Sequence, residues 1–147
     1  NTVGTKDLAW LPSASAVVAR VDPMKDEGQS WGVGLAVGWA NGKYVQIHAR
    51  TDGRWGVRRN GAEILTGSHA KGAPALVAVC LDESWVKITA KEDGGDEWET
   101  IAEFPRSEFA GLPATVRIGK IGTSWQGADF GVKGSVNPCR VEWVEFH

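Results

Sequence analysis

Trp31-Gly32-Val33-Gly34-Leu35-Ala36-Val37-Gly38-Trp39, then Ala40-Asn41-Gly42-Lys43, then Tyr44-Val45-Gln46-Ile47-His48-Ala49-Arg50, is the stretch that decides the fold. In both flanks a bulky apolar residue recurs at every second position. Side chains alternate between the two faces of a strand, so this period marks two half-buried β-strands. The Asn-Gly pair between them marks a hairpin. A two-residue loop would set Val37 opposite Gln46 and mix the faces. A three-residue loop Ala40-Asn41-Gly42, with Gly42 left-handed, sets Val37 opposite Val45 and Leu35 opposite Ile47. The longer loop is therefore the expected one. It leaves one apolar face for a core, and a second face where Gly34, Ala36 and Gly38 lie beside Tyr44, Gln46 and His48.

The pattern extends outward in both directions. With Thr51-Asp52-Gly53 as the next loop, Ala49 faces Trp55 and Ile47 faces Val57, while Gly56 falls opposite His48 and Arg58 opposite Gln46. Further period-two runs predict strands over Ala16–Val21, Trp55–Arg59, Ala75–Leu81, Trp85–Lys91, Trp98–Phe104, Thr115–Ile121 and Arg140–Phe146. Asn60-Gly61, Asp93-Gly94-Gly95 and Gly111-Leu112-Pro113 supply turns between them. No dozen-residue segment carries a helical period. Many short strands at regular spacing predict an all-β antiparallel sandwich or barrel with negligible helix.

The composition agrees. The chain has 147 residues with 19 Gly and 8 Trp, a pairing that suits turns and pleated surfaces better than helix interiors. That length is one domain, 1–147, able to bury about 70 % of its unfolded surface without a metal or disulfide lattice. The net charge of −2 argues against a general nucleic-acid binder, which needs a basic face to displace counterions. No apolar run approaches the length that inserts into a membrane. The N-terminus, Asn1-Thr2-Val3-Gly4, has neither an initiator Met nor a signal-peptide pattern, and reads as that of an excised or processed domain.

The second face of the three-stranded unit is the sharpest functional candidate. It is a glycine-floored trough walled by Tyr44, Gln46, His48, Arg50, Arg54 and Arg58. Aromatic faces stack on the C–H patches of sugars and planar polar groups pair with vicinal hydroxyls, so this set suits a glycan. The alternative is an ordinary solvated sheet face. Mid-strand glycine implies close approach of a ligand or of another backbone. If a ligand approaches there, Gly34→Val obstructs the site while folding survives. Arg50, Arg54, Arg58 and Arg59, with Lys43, could clamp the carboxylate or sulfate of an acidic polysaccharide, or protect an edge strand. Trp39, Trp55 and Trp98 share the phase of apolar neighbours and are expected in the core. Trp31, Trp85 and Trp125 fall in loops or at strand starts, with Trp125 the leading candidate for an exposed ligand contact. Near Trp143 the phase changes, which implies a bulge.

Several of these stretches carry a family resemblance. Ser30-Trp31-Gly32-Val33-Gly34-Leu35-Ala36-Val37, Gly42-Lys43-Tyr44-Val45, Trp85-Val86-Lys87-Ile88, Asp93-Gly94 with Trp98, and Val116-Arg117-Ile118-Gly119 together resemble concanavalin A-like lectin/glucanase domains, and among them the laminin-G-like accessory domains of secreted and cell-surface proteins. The resemblance implies two curved antiparallel sheets face to face, in jelly-roll fashion, with a glycan on the concave sheet or at loop ends. It implies an extracellular or cell-surface setting within a larger protein whose other domains are its neighbours. A structural or protein-interaction domain is the competing expectation, and a glycoside hydrolase the third.

Glucanases of the resembled fold carry carboxylates at alternating positions of one strand, and no such strand occurs here. Glu92-Asp93-Gly94-Gly95-Asp96-Glu97 is a turn, and the spacing of Glu142 and Glu145 splits them across opposite faces. Gly-x-Ser-x-Gly is absent, and His48, His69 and His147 lack zinc spacing. The domain is therefore expected to have no activity and no cofactor. Structural calcium is left to Asp22, Asp26 and Glu27, whose spacing departs from the calcium-loop pattern. Cys80 and Cys139 are either bridged or free.

Overall fold

A computed structural model describes residues 5–24, 32–50, 52–121 and 139–147. They form eleven strands: β1 (Thr5–Ala9), β2 (Ala16–Asp22), β3 (Gly32–Gly38), β4 (Tyr44–Ala49), β5 (Trp55–Arg59), β6 (Ala62–Thr66), β7 (Ala75–Leu81), β8 (Trp85–Glu92), β9 (Glu99–Pro105), β10 (Thr115–Ile121) and β11 (Arg140–Phe146). A single 3-10 turn, Arg106–Phe109, is the one helical element among the described residues. The strands make a six-stranded sheet, β1-β10-β3-β4-β5-β6, and a five-stranded sheet, β11-β2-β7-β8-β9, with antiparallel neighbours throughout. No helix among the described residues is long and apolar enough to cross a membrane.

The core is the interdigitation of the two inner faces. Leu35, Val37, Val45, Ile47 and Val57 of the six-stranded sheet, and Val17, Val77, Val79, Val86 and Ile88 of the other, are wholly buried. Each such side chain contributes roughly 1.5–3 kcal/mol by leaving water, which makes the alternation costly to violate. Trp39 closes one margin, with its ring 4.8 Å from Phe109 and its Nε1 donating to the Gly111 carbonyl at 3.1 Å.

The two hairpins have the register that alternation dictates. Val37 pairs with Val45 and Leu35 with Ile47, and the loop closes with Gly42 at φ 86°. Across the next turn Ala49 pairs with Trp55, Gly56 with His48 and Arg58 with Gln46. β1 and β6 went unread in the sequence because neither alternates. Both are edge strands, where side-chain burial leaves little imprint on sequence. β1 is held partly by charge, Asp7 accepting from Arg117 at 2.7 and 3.0 Å.

Two tryptophans depart from expectation or complete it. Trp98 lies 42 % exposed rather than in the core. The bulge between Ile88 and Thr89 shifts the β8–β9 register so that Ala90 pairs with Glu99, and Trp98, just before β9, meets the outward Lys91. Lys91 Nζ sits 5.5 Å from the Trp98 ring centre. In β11 the expected bulge falls between Val141 and Trp143, keeping Val141, Val144 and Phe146 in phase with β2's inward residues and turning Trp143 outward. Cys80 and Cys139 are not bridged to each other. Cys80 pairs with Ala16 at one end of β2 while Cys139 precedes the Arg140 that pairs with Asp22 at the other, about 20 Å away at strand rise.

Gly34 serves the backbone rather than a ligand. A Cβ there would collide with the Ile47 carbonyl oxygen and stand 2.8 Å from His48 Cα. Gly34→Val is therefore expected to destabilise the fold by about 3 kcal/mol, which corrects the expectation that folding survives it. A thermal melt checks this, and an unchanged midpoint contradicts it.

Candidate functional site

The register lays the polar face of the six-stranded sheet out in rows. Arg117, Ala36, Gln46, Arg58 and Glu63 stand side by side on β10, β3, β4, β5 and β6. The adjoining row carries Gly119, Gly34, His48 and Gly56. The predicted set thus converges, since Tyr44, Gln46, His48, Arg50 and Arg58 share this face around the Gly34 floor. It converges on itself. Gln46 and His48 are wholly buried, and Tyr44, Arg50 and Arg58 nearly so. Trp125 and Trp31 lie outside the described residues.

The centre of this network is Glu63. Its Oε1 accepts from Arg50 Nη1 at 2.9 Å and its Oε2 from Arg58 Nη2 at 3.1 Å. His48 Nε2 lies 3.2 Å from Oε2, within ionic reach but off the line of an ideal hydrogen bond. On the ring's other side Gln46 Nε2 stands 3.0 Å from Nδ1. An amide N–H can only donate, so Nδ1 accepts and Nε2 carries the proton, the neutral tautomer directed at Glu63. Gly56 is required beneath the ring, because a Cβ would run into it. Arg58 Nη1 also donates to the Gly61 carbonyl at 3.0 Å.

Each arginine of the basic cluster already holds a carboxylate. Arg50 binds Glu63 and Asp52, Arg54 binds Asp52 at 2.6 Å, Arg58 binds Glu63, and Arg59 binds Glu108. The expected clamp for an acidic polysaccharide is therefore spent internally. Burial pushes the His48 ring below its ordinary value, against the pull of Glu63. Burial would raise the Glu63 carboxyl, but His48, Arg58 and Arg50 outweigh it and hold it low. Hydrogen bonds from Arg54 drive the Asp52 carboxyl far below the carboxylate range.

Glu63 escaped sequence reasoning, although a signal for it existed. Asn60 (φ 52°) and Gly61 (φ 100°) make a two-residue turn of the type that pairs its flanks directly. That turn fixes Arg59 opposite Ala62 and Arg58 opposite Glu63.

The outer face of the five-stranded sheet has the opposite character. Trp85, Trp98 and Trp143 are 39 %, 42 % and 38 % exposed there. Trp85 is in phase with the outward Lys87 and Lys91, and Trp143 pairs with the outward Arg20. Arg20 is held flat by Asp93, with bonds of 3.2 and 2.9 Å, and by an ion pair to Glu142. As for calcium, Asp22 accepts from the Met24 N–H at 3.0 Å and lies 3.8 Å from Arg140, while Asp26 and Glu27 lie outside the described residues. Among the described residues no three His, Cys, Asp or Glu side chains gather as metal ligands do.

No family model and no curated protein matches the chain. Solved structures match its fold. A family 43 glycoside hydrolase of Bacillus licheniformis superposes with TM-score 0.55 at 12 % identity over 76 % of this chain, which spans only about a quarter (24 %) of that protein. A homodimeric agglutinin from chicken liver gives 0.55 at 11 % identity over 98 % of this chain and 100 % of its own. A scytalido-glutamic peptidase gives 0.52 at 12 % identity, over 98 % and 73 %. At such identities the likeness is one of β-sandwich fold. It nevertheless corrects the expectation of a domain without activity, since two of these three are enzymes. The physical reason is that the same sandwich carries hydrolytic and lectin sites built from different strands and loops, so the lack of alternating carboxylates on one strand does not exclude activity.

Two outcomes follow from the network. Because folded His48 resists protonation and an unfolded histidine takes it up near pH 6.5, the unfolded chain binds more protons as pH falls. Stability present above pH 6.5 is therefore lost below it. Thermal melts from pH 7.5 down to 5.5 should fall, and a rising midpoint contradicts the account. Glu63→Ala strands two buried guanidiniums and is expected to cost about 3 kcal/mol, read by denaturant titration.

Proposed function

We propose that the domain is a carbohydrate-binding β-sandwich of concanavalin A-like, laminin-G-like type, working in an extracellular or cell-surface protein and holding its glycan on the outer face of the five-stranded sheet. One observation carries this reading: Trp85, Trp98 and Trp143 stand exposed on that single face. An indole left in water forgoes the burial that its size rewards, and its flat face suits the C–H patches of a pyranose. The polar trough of the other sheet serves as internal scaffolding, because its planar groups already bind one another. Under the competing reading a protein domain covers the indoles and no glycan binds.

Affinity electrophoresis through gels containing neutral or acidic polysaccharides separates these readings. Retardation by at least one polysaccharide is expected. Trp98→Ala and Trp143→Ala should each weaken it by about 1–2 kcal/mol while melting is unchanged, since both side chains lie outside the core. Retardation that survives both substitutions removes this face as the site. No retardation by any polysaccharide leaves the protein-covered face as the reading.

A further inference from the structure

Strand pairing in the five-stranded sheet leads across its width from one exposed indole to another. Trp143 on β11 pairs with Arg20 on β2, Arg20 with Leu76 on β7, and Leu76 with Lys91 on β8. Trp98, immediately before β9, takes the Lys91 Nζ 5.5 Å from its ring centre. Four inter-strand spacings separate the indoles, about 19 Å, which is the length of roughly four sugar rings in an extended chain. A single sugar cannot touch both.

The charges along this path cancel. Arg20 lies between the Asp93 and Glu142 carboxylates, and its side chain is only 19 % exposed, so it stays in one plane. Lys91 is engaged by the Trp98 ring. Arg140, beside Glu142 and Asp22, completes the set, so three cations (Arg20, Lys91 and Arg140) stand against three anions (Asp93, Glu142 and Asp22), with no surplus to attract a sulfate or uronate. The partly exposed carboxylates of Asp93 and Glu142 can accept from hydroxyls, and the Arg20 guanidinium holds them in fixed positions. Fixed acceptors between two stacking faces suit an uncharged polyhydroxylated chain.

We propose that the ligand of this face is an uncharged, extended polysaccharide lying across the five strands from Trp143 to Trp98, recognised along its chain and not at a terminal sugar. This rests on the glycan-binding reading above. The alternative of an acidic chain is an outcome of the test.

The test is calorimetric titration of the wild-type chain with cello-, laminari- and manno-oligosaccharides from dimer to hexamer, with polygalacturonate as the charged probe. In at least one neutral series affinity should climb ten-fold or more between dimer and tetramer and then level off, with little dependence on salt. Trp98→Ala should flatten that series, so that hexamer binds no better than dimer does to the wild type. If dimer and hexamer bind the wild type equally, the spanning chain is overturned while glycan binding stands. If polygalacturonate binds more tightly than every neutral series, and salt abolishes it, the uncharged ligand is overturned. If nothing binds, the glycan reading itself falls.

Discussion

The carboxylate of Glu63 is the contact on which the six-stranded sheet depends. It stands on an edge strand, yet it gathers guanidiniums from the β4–β5 turn region and from β5 beside a buried imidazole on β4. A polar face so deeply buried is stable only if its donors and acceptors meet, and an isolated charge there would cost several kcal/mol. The arrangement depends on register. A slip of one residue in β5 or β6 would turn Arg58 or Glu63 towards the valine core and leave its partners alone. The Asn60-Gly61 turn, whose positive φ values prevent that slip, is therefore as much a part of the network as the charges are.

The centre of the fold was legible in the sequence for the same reason that it is stable. β3, β4 and β5 alternate without a break because one face of each packs against the opposite sheet, and glycine at the turns sets the pairing. Legibility fades towards the edges. β1 and β6 are short and carry no alternation. Trp98 shares the phase of Ala102 and Phe104 along the chain, but the bulge inverts that phase before residue 98 and leaves the indole exposed. The trough residues were placed correctly on one face, but burial on that face could not be read. A polar side chain looks the same in sequence whether it faces water or a carboxylate from a strand that has not been recognised.

Once those residues are accounted for, the two outer faces separate by chemistry. One has charges and few unengaged donors, packed against each other. The other has indoles in water above a neutral lane of fixed ion pairs. Solved β-sandwiches of similar shape include an agglutinin and hydrolytic enzymes, so the shape by itself does not select a role. Side-chain chemistry on each face is what the proposed division rests on: a self-bonded network on the first and exposed indoles on the second.

That division is tested most directly by following the indole N–H signals of Trp85, Trp98 and Trp143, and the ring protons of His48 and Tyr44, in one NMR titration with neutral oligosaccharides. The account predicts shifts at Trp98 and Trp143 with His48 and Tyr44 unmoved. Saturable shifts at His48 and Tyr44, with the three exposed indoles silent, would contradict it and return recognition to the Glu63 face.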